Sequence, residues 1–302
     1  MGHFRVSILL FAFFSFLGIL GVERGLADIT QGASPAIVVA VSIPPQKFFV
    51  EQIGGNRVQV VTLIPQGADP HTYEPKPKDI DDLQKAKLYF AIGYLDVEKI
   101  WLDRLKKRFP QMSVINITYG VVMKEGHSHR DGGEHHLDSD GVDPHVWLSP
   151  PLVMLQSRNI YQALVYADPE GRAFYSDNFK NWMTRLVALD VELASMFYSF
   201  KGRSFLVYHP AWSYFAETYG LNQLAVEKEG KSPGPRDLER LKAEVKENGI
   251  KVLFVSSDVP SVAEKNISKE LGVDLDVLNP LVYDWESNMR NVAAKLVSSM
   301  KR

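Results

Sequence analysis

The sequence predicts an α/β protein of two lobes, each with a mostly parallel sheet flanked by helices, joined by one long spanning helix. Three observations predict this architecture. Short β-branched apolar runs alternate with helical segments, a pattern typical of parallel sheets with helices on both faces. This alternation occurs twice, before and after one unusually long amphipathic segment. A length of 302 residues also leaves room for two lobes.

The first alternation lies in residues 28–168, the predicted N-terminal lobe. Its first strand is apolar and β-branched, and it stops at Pro44-Pro45, where a helix follows. Gly54 and Gly55 then turn the chain into a second strand that stops at Pro65. The predicted strands are 37–43, 58–64, 88–92 and 114–117, and the predicted helices are 48–53, 78–87 and 100–108, with a further helix beginning near Pro150.

Residues 169–201 are predicted to form the spanning helix. Asp168-Pro169 is a suitable N-cap and first-turn pair for its start. Apolar residues then recur in alternating steps of four and three, at Tyr175, Phe179, Trp182, Leu186, Leu189, Leu193, Met196 and Phe200. A helix of about 30 residues is about 45 Å long, which suits a strut between two lobes.

The second alternation lies in residues 202–302, the predicted C-terminal lobe. Its predicted strands are 205–208, 223–226, 252–255 and 273–278, and its predicted helices are 212–219, 236–247, 261–271 and 288–300. The C-terminal lobe therefore has the same alternation of strands and helices as the N-terminal lobe.

The N-terminus is typical of a secretory signal peptide covering residues 1–27. Arg5 precedes an apolar run over residues 6–20, and the small residues Gly25 and Ala27 match a cleavage site after residue 27. The run is too short to cross a bilayer comfortably, and no later stretch approaches about 18 consecutive apolar residues. We expect a soluble, monomeric protein that is secreted through a cleaved signal peptide.

Composition limits the partners and the metal ligands that are expected. With 34 Lys plus Arg against 36 Asp plus Glu, the net charge of -2 argues against nucleic acid as a partner. The chain has no cysteine, so any metal ion must be held by nitrogen and oxygen atoms.

A His-rich segment at residues 124–143 interrupts the N-terminal lobe and is predicted to be a mobile loop, because it is nearly devoid of apolar residues. Its histidines are His127, His129, His135 and His136. They form either a weak, exchangeable metal-collecting arm or a solvated loop without a role, and the sequence favours neither.

Three further histidines stand at loop positions flanked by proline. His71 follows the second strand, His209 follows the first strand of the C-terminal lobe, and His145 precedes the helix near Pro150. Ligands of open parallel sheets bind at the carboxyl ends of the strands, where His71 and His209 lie. Three imidazoles plus a water or a carboxylate would make a tetrahedral zinc site, although any one of these histidines alone would be read as a capping or core residue.

The segments around these histidines resemble the periplasmic zinc-binding proteins of ABC-type zinc uptake systems, the substrate-binding components of metal-binding cluster A-I. The matching segments are 67–75, 143–150, 208–215, 227–233 and 278–285, on either side of the His-rich insert. The resemblance implies His71, His145 and His209 as ligands of a transported Zn²⁺ held between two lobes. It also implies a periplasmic location, delivery to an ABC permease at the inner membrane, and no catalysis.

Several alternatives stay open. Manganese and iron relatives usually carry a glutamate at the third ligand position, where this chain has His209. Relatives often carry an aspartate where this chain has Asn279, so the fourth donor is a water, Asp284 or another acid, and Asp284 is favoured as a helix cap. A zinc-dependent hydrolase would need a base, for which Glu227 and Glu229 are the candidates. A secreted interaction protein stiffened by metal is a further alternative.

Overall fold

Two parallel sheets of four strands lie in the part of the chain that the structure describes, residues 36–124, 141–227 and 233–302 of a computed structural model. The first sheet contains β1 (Ile37–Val41), β2 (Val58–Thr62), β3 (Leu88–Ala91) and β4 (Ser113–Asn116), and the second contains β5 (Ser204–Val207), β6 (Asn222–Ala225), β7 (Val252–Val255) and β8 (Asp274–Val277). The strand orders are β2-β1-β3-β4 and β6-β5-β7-β8, with every pair parallel. The predicted fold class is confirmed, and both sheets have the same topology.

Helices connect the strands and cover the sheets. They are α1 (Pro44–Gly54), α2 (Pro77–Asp81), α3 (Asp96–Arg108), α4 (Pro150–Ala167), α5 (Arg172–Phe197), α6 (Ser213–Tyr219), α7 (Pro235–Glu247), α8 (Val262–Leu271) and α9 (Trp285–Met300). The helix predicted at 78–87 is shorter than expected, because it gives way to a 3₁₀ turn at Asp82–Lys85.

Local sequence signals explain several boundaries. Pro44 and Pro45 occupy the first turn of α1, where the missing N–H groups have no intrahelical partner in any case. Ser261 caps α8, since its hydroxyl accepts a hydrogen bond from the Glu264 N–H at 3.2 Å, and the Glu264 carboxylate accepts from the Ser261 N–H at 2.5 Å. Such a reciprocal cap contributes about 1 kcal/mol. Gly272 ends α8 with φ of 67°, a conformation that glycine adopts without strain.

The long helix α5 has 26 residues and is extended by 3₁₀ turns at Pro169–Gly171 and Tyr198–Phe200. Its predicted apolar stripe faces the core: the buried members are Tyr175, Trp182, Leu186, Leu189 and Leu193, and the partly buried members are Phe179, Met196 and Phe200.

Asp168 holds the predicted N-cap position, before the 3₁₀ turn Pro169–Gly171 that leads into α5, but its side chain makes no capping hydrogen bond. The Asp168 carboxylate instead accepts hydrogen bonds from Arg57 Nε and Nη2 at 2.9 and 3.0 Å and from the Tyr175 hydroxyl at 2.6 Å. A bidentate arginine is a stronger donor than a backbone N–H, so tertiary contact overrides the local signal. The start of α5 is thereby fixed to the turn before β2.

Aromatic side chains connect the two predicted lobes. Trp147 Nε1 donates to the Pro280 carbonyl at 2.8 Å, and Trp285 Nε1 donates to the Trp147 carbonyl at 2.7 Å. The Trp285 ring also packs edge-on against Phe49, with ring centroids 5.2 Å apart. Both indoles are fully buried with their N–H groups satisfied, as a stable core requires. Residues just after His145 are thus held against the segment that precedes α9.

Candidate metal centre

The three predicted histidines meet in one place. One ring nitrogen from each of His71, His145 and His209 lies within 4.8 Å of the other two. Their ring centroids are 4.9 to 5.8 Å apart. Nitrogen ligands of a tetrahedral zinc at 2.0–2.1 Å lie about 3.3 Å from one another, so inward movements of about 1.5 Å or less complete such a site.

His71 is positioned by the loop that follows β2. Its backbone N–H donates to Asp69 Oδ1 at 2.9 Å, forming an Asx turn within the Asp69-Pro70-His71 segment. Its ring Nδ1 lies 2.9 Å from Asp96 Oδ2, on the first residue of α3. Burial works to raise the pKa of Asp96, but the hydrogen bonds and charge interactions with His71 and Lys99 together hold the pKa below its ordinary value.

His145 lies in a second Asp-Pro-His segment, in which the aspartate contacts both the backbone and the ring of the histidine. Asp143 Oδ1 accepts from the His145 backbone N–H at 3.0 Å, as in the first Asx turn, and also from the ring Nδ1 at 2.8 Å. The Ser213 hydroxyl donates to the other oxygen, Asp143 Oδ2. Burial works to raise the pKa of Asp143, but the hydrogen bonds from His145 and Ser213 hold it below its ordinary value. Burial lowers the pKa of His145, which is only 5% exposed, so its imidazole is neutral.

His209 lies two residues beyond the end of β5. Its ring Nδ1 is 3.0 Å from Glu227 Oε2, which lies two residues beyond the adjacent strand β6. The parallel ladder continues past both strands, because the Glu227 N–H donates to the Tyr208 carbonyl at 2.9 Å. Register alone therefore places Glu227 beside His209.

All three rings share one chemical arrangement. An ionised carboxylate only accepts hydrogen bonds, so each Nδ1 carries the proton and each Nε2 keeps its lone pair. The Nε2 atoms of His71 and His209 are buried and have no hydrogen-bond partner. Buried polar atoms are normally paired, so two unpaired ring nitrogens in one cluster indicate a site for an electron-pair acceptor. A divalent transition-metal ion fits, and the three carboxylates would offset its charge.

Sequence reasoning missed most of this outer layer of carboxylates. Asp96 lies in none of the matching segments, whereas Asp143 and Glu227 lie in segments 143–150 and 227–233 without a ligand-orienting role predicted for either. The available signal was position: Asp96 and Glu227 follow β3 and β6, at the carboxyl edges where ligands bind.

The remaining predicted site residues lie elsewhere or outside the description. Asp284 is the N-cap of α9, where its carboxylate accepts from the Ser287 N–H at 3.2 Å, the alternative that the sequence favoured. The Asn279 side chain accepts from the Leu281 N–H at 2.8 Å. His127, His129, His135, His136 and Glu229, together with the predicted signal peptide over residues 1–27, lie outside the described residues.

The histidines line a cleft of about 690 Å³ formed by loops at the carboxyl ends of both sheets. Its lining includes the carboxylates of Asp69, Glu227, Asp258 and Glu264. No lysine or arginine is found among the described residues that line it. The field in such a cleft favours cations and disfavours anions.

Within residues 36–124, 141–227 and 233–302, we find no helix long and apolar enough to cross a membrane.

Comparison with known proteins places this architecture in a family. The family model described as "Zinc-uptake complex component A periplasmic" matches residues 39–299. The high-affinity zinc uptake system protein ZnuA of Bacillus subtilis (strain 168) is 31% identical over 255 residues, covering 80% of this chain and 78% of that protein. The zinc-binding protein AdcA of Streptococcus pyogenes serotype M3 (strain ATCC BAA-595 / MGAS315) is 30% identical over 275 residues, or 85% of this chain. The chain spans about half of AdcA, 53% of its length.

A solved structure agrees in fold. The crystal structure of a ZnuA deletion mutant with zinc bound superposes with a TM-score of 0.80 at 36% identity, over 87% of this chain and 98% of that one. Because the family model covers most of the chain and the fold and histidine cluster are consistent with it, the chain belongs to the periplasmic zinc-uptake component A family.

Proposed function

We propose that this protein captures Zn²⁺ outside the cytoplasm and delivers it to an ABC permease at the inner membrane, with His71, His145 and His209 as the ligands. The observation that carries the proposal is the convergence of three imidazoles whose Nδ1 atoms are all held by carboxylates. This arrangement leaves each ring with one nitrogen free to bind a metal, and one ring nitrogen from each histidine lies within 4.8 Å of the other two. The zinc-binding and zinc-uptake names of the relatives support the choice of metal.

Residues 1–27 are the proposed cleaved signal peptide, and the mature protein is a monomer. We propose lobes at residues 28–168 and 202–302 that are joined by the helical segment 169–201, and zinc is held in the cleft between the loops of the two sheets. The aromatic packing around Trp147 and Trp285 limits how far the lobes separate. In this proposal the fourth zinc ligand is a water, because Asn279 and Asp284 are both engaged with backbone N–H groups.

Binding without turnover fits the cleft better than hydrolysis. A hydrolytic zinc site needs a base that is free to activate a water. Glu227, the described candidate base, is engaged by His209 Nδ1. The place of Glu227 in the cleft is explained by its hydrogen bond to the His209 ring, which orients that ligand.

A metal titration tests the proposal. The purified protein without residues 1–27 is expected to bind one Zn²⁺ per chain tightly, and to bind Mn²⁺ more weakly by on the order of 100-fold or more, because imidazole nitrogens favour zinc while manganese prefers oxygen ligands. Competition against a chromophoric chelator measures both affinities. Equal affinity for the two ions would point to an oxygen-rich site and contradict the three-histidine assignment.

The two Asp-Pro-His segments offer a matched pair of substitutions. Asp143→Asn is expected to weaken zinc binding by about 10- to 100-fold, because the carboxylate that orients the His145 ring is lost. Asp69→Asn makes the same change in the same motif, but the Asp69 carboxylate accepts from the His71 backbone N–H and the Thr72 hydroxyl and not from a histidine ring. Asparagine also forms Asx turns. Zinc affinity should therefore change little. Equal losses in the two variants would show that the effect comes from charge in the cleft and not from ring orientation.

A further inference from the structure

We propose that Glu98 is a positioning residue for the metal centre. Its buried carboxylate holds the turn at residues 92–95 and thereby sets the place of Asp96 against His71. This inference rests on the proposed function, since it assigns a role through a proposed zinc ligand.

Glu98 is an unusual residue to find in a protein interior. It lies in the first turn of α3 and is only 1% exposed. Its Oε1 accepts hydrogen bonds from the Ile92 N–H at 2.9 Å and from the Ser42 hydroxyl, and its Oε2 accepts from the Gly93 N–H at 2.5 Å. Burial raises the pKa of Glu98, while these hydrogen bonds act to lower it. A buried acid destabilises the fold unless its oxygens are fully satisfied, so its presence calls for a role.

The partners of Glu98 are all donors, which explains why a carboxylate is needed. Three N–H and O–H groups converge on its two oxygens. Glutamine would supply one acceptor oxygen and place its own NH₂ group against a remaining donor. The isosteric amide therefore cannot hold the same turn.

The turn that Glu98 holds leads directly to the metal centre. Ile92 and Gly93 follow β3, and the chain reaches Asp96 three residues later, where Asp96 Oδ2 lies 2.9 Å from His71 Nδ1. Gly93 has φ of 91°, so this turn uses a backbone conformation that side-chain-bearing residues rarely adopt and needs tertiary contacts to define it.

The same carboxylate also reaches the loop that carries His71. Ser42 follows β1, and its carbonyl accepts a hydrogen bond from the Ile64 N–H at 3.0 Å, just beyond the end of β2. Glu98 thus connects the loops after β1 and β3, and Ser42 continues the connection toward the segment that ends at His71. Glu98 therefore helps to position both partners of the His71–Asp96 contact.

A double-mutant cycle tests this role. Zinc affinity is measured for the purified protein, for Glu98→Gln, for Asp96→Asn and for the double variant. Asp96→Asn is expected to weaken binding by about 10- to 100-fold and Glu98→Gln by about tenfold. If Glu98 acts through Asp96, the double variant should bind no more weakly than Asp96→Asn, within about twofold. Full additivity of the two losses would overturn the proposal.

A control separates positioning from general stability. Asn159 is a buried residue of α4 whose amide donates to the Ile117 and Tyr119 carbonyls at 2.8 and 2.9 Å, in a loop without a proposed ligand. Asn159→Ala should lower Tm while leaving zinc affinity within about twofold of the unmodified protein. An affinity loss in Asn159→Ala as large as that in Glu98→Gln would assign the effect to stability and overturn the proposal.

A milder substitution of Glu98 keeps the proposal testable if Glu98→Gln does not fold. If Glu98→Gln is unfolded at the assay temperature, Glu98→Asp keeps both acceptor oxygens but draws them back by one methylene. It should still weaken zinc binding, and wild-type affinity in folded Glu98→Gln or Glu98→Asp would overturn the proposal. Absence of a tight site in the unmodified protein would instead reject the proposed function.

Discussion

Replacing any one of His71, His145 or His209 with alanine is expected to weaken zinc binding by more than about 100-fold, beyond the range typical of outer-layer residues. Each of these side chains contributes one of three protein nitrogens to a four-coordinate site, and water is a weaker ligand than imidazole. Isothermal titration of the three variants beside the unmodified protein measures the loss. The three losses should be similar, because the geometry gives each ring one carboxylate partner.

The His-rich segment supplies the control for this experiment. Substituting His127, His129, His135 and His136 together with alanine should leave the tight site in place and remove only weak additional binding. If zinc binding instead survived in the His71→Ala variant and disappeared in the four-histidine variant, the cleft would not be the metal site.

Acidification is expected to weaken zinc binding by at least about 100-fold between pH 7.5 and pH 5.5, because an imidazole must be neutral to bind metal. A site of three imidazoles loses up to about 1000-fold in affinity per pH unit once all three rings take up protons. Burial lowers the pKa of His145, so this ring keeps its lone pair further into acid than a free imidazole does. Proton competition at His145 should therefore set in only at lower pH than for a free imidazole.

The sign of the accompanying stability change follows from the same pKa. His145 takes up a proton more readily in the unfolded chain than in the folded protein, so acid favours unfolding. Its contribution to the free energy of unfolding is complete above about pH 6.5 and is lost as the pH falls through the folded pKa. Zinc affinity by chelator competition and Tm of the metal-free protein should both fall with pH. An affinity that is constant down to pH 5.5 would contradict a site built from histidines.

The fold class could be predicted because its signals are local. β1 alternates with α1 in a pattern that β-branched and apolar residues make visible, and the stripe on α5 follows helical spacing over its whole length. The side chain of Asp168 shows the limit of such signals. Asp168 holds the N-cap position, but its carboxylate binds Arg57, 111 residues away, and makes no capping hydrogen bond.

The three metal-binding candidates could also be predicted from the sequence, because Asp69-Pro70-His71 and Asp143-Pro144-His145 form turns from their own residues and His209 directly follows a strand. Tertiary structure alone decided which carboxylate holds each ring. Asp143 holds the ring of its own motif, whereas Asp69, in an equivalent position, leaves the ring of His71 to Asp96.

The physical reason is strand order. β1 lies between β2 and β3, so the contact between His71, after β2, and Asp96, after β3, crosses the end of β1. His209 and Glu227 meet because β5 and β6 are paired in register. Hydrophobic periodicity shows where strands and helices form, but it contains no information about which strand ends become neighbours. Local sequence signals determined the α/β fold class, the long helix and the three histidines, whereas strand order and pairing decided that Asp96 orients His71 and Glu227 orients His209.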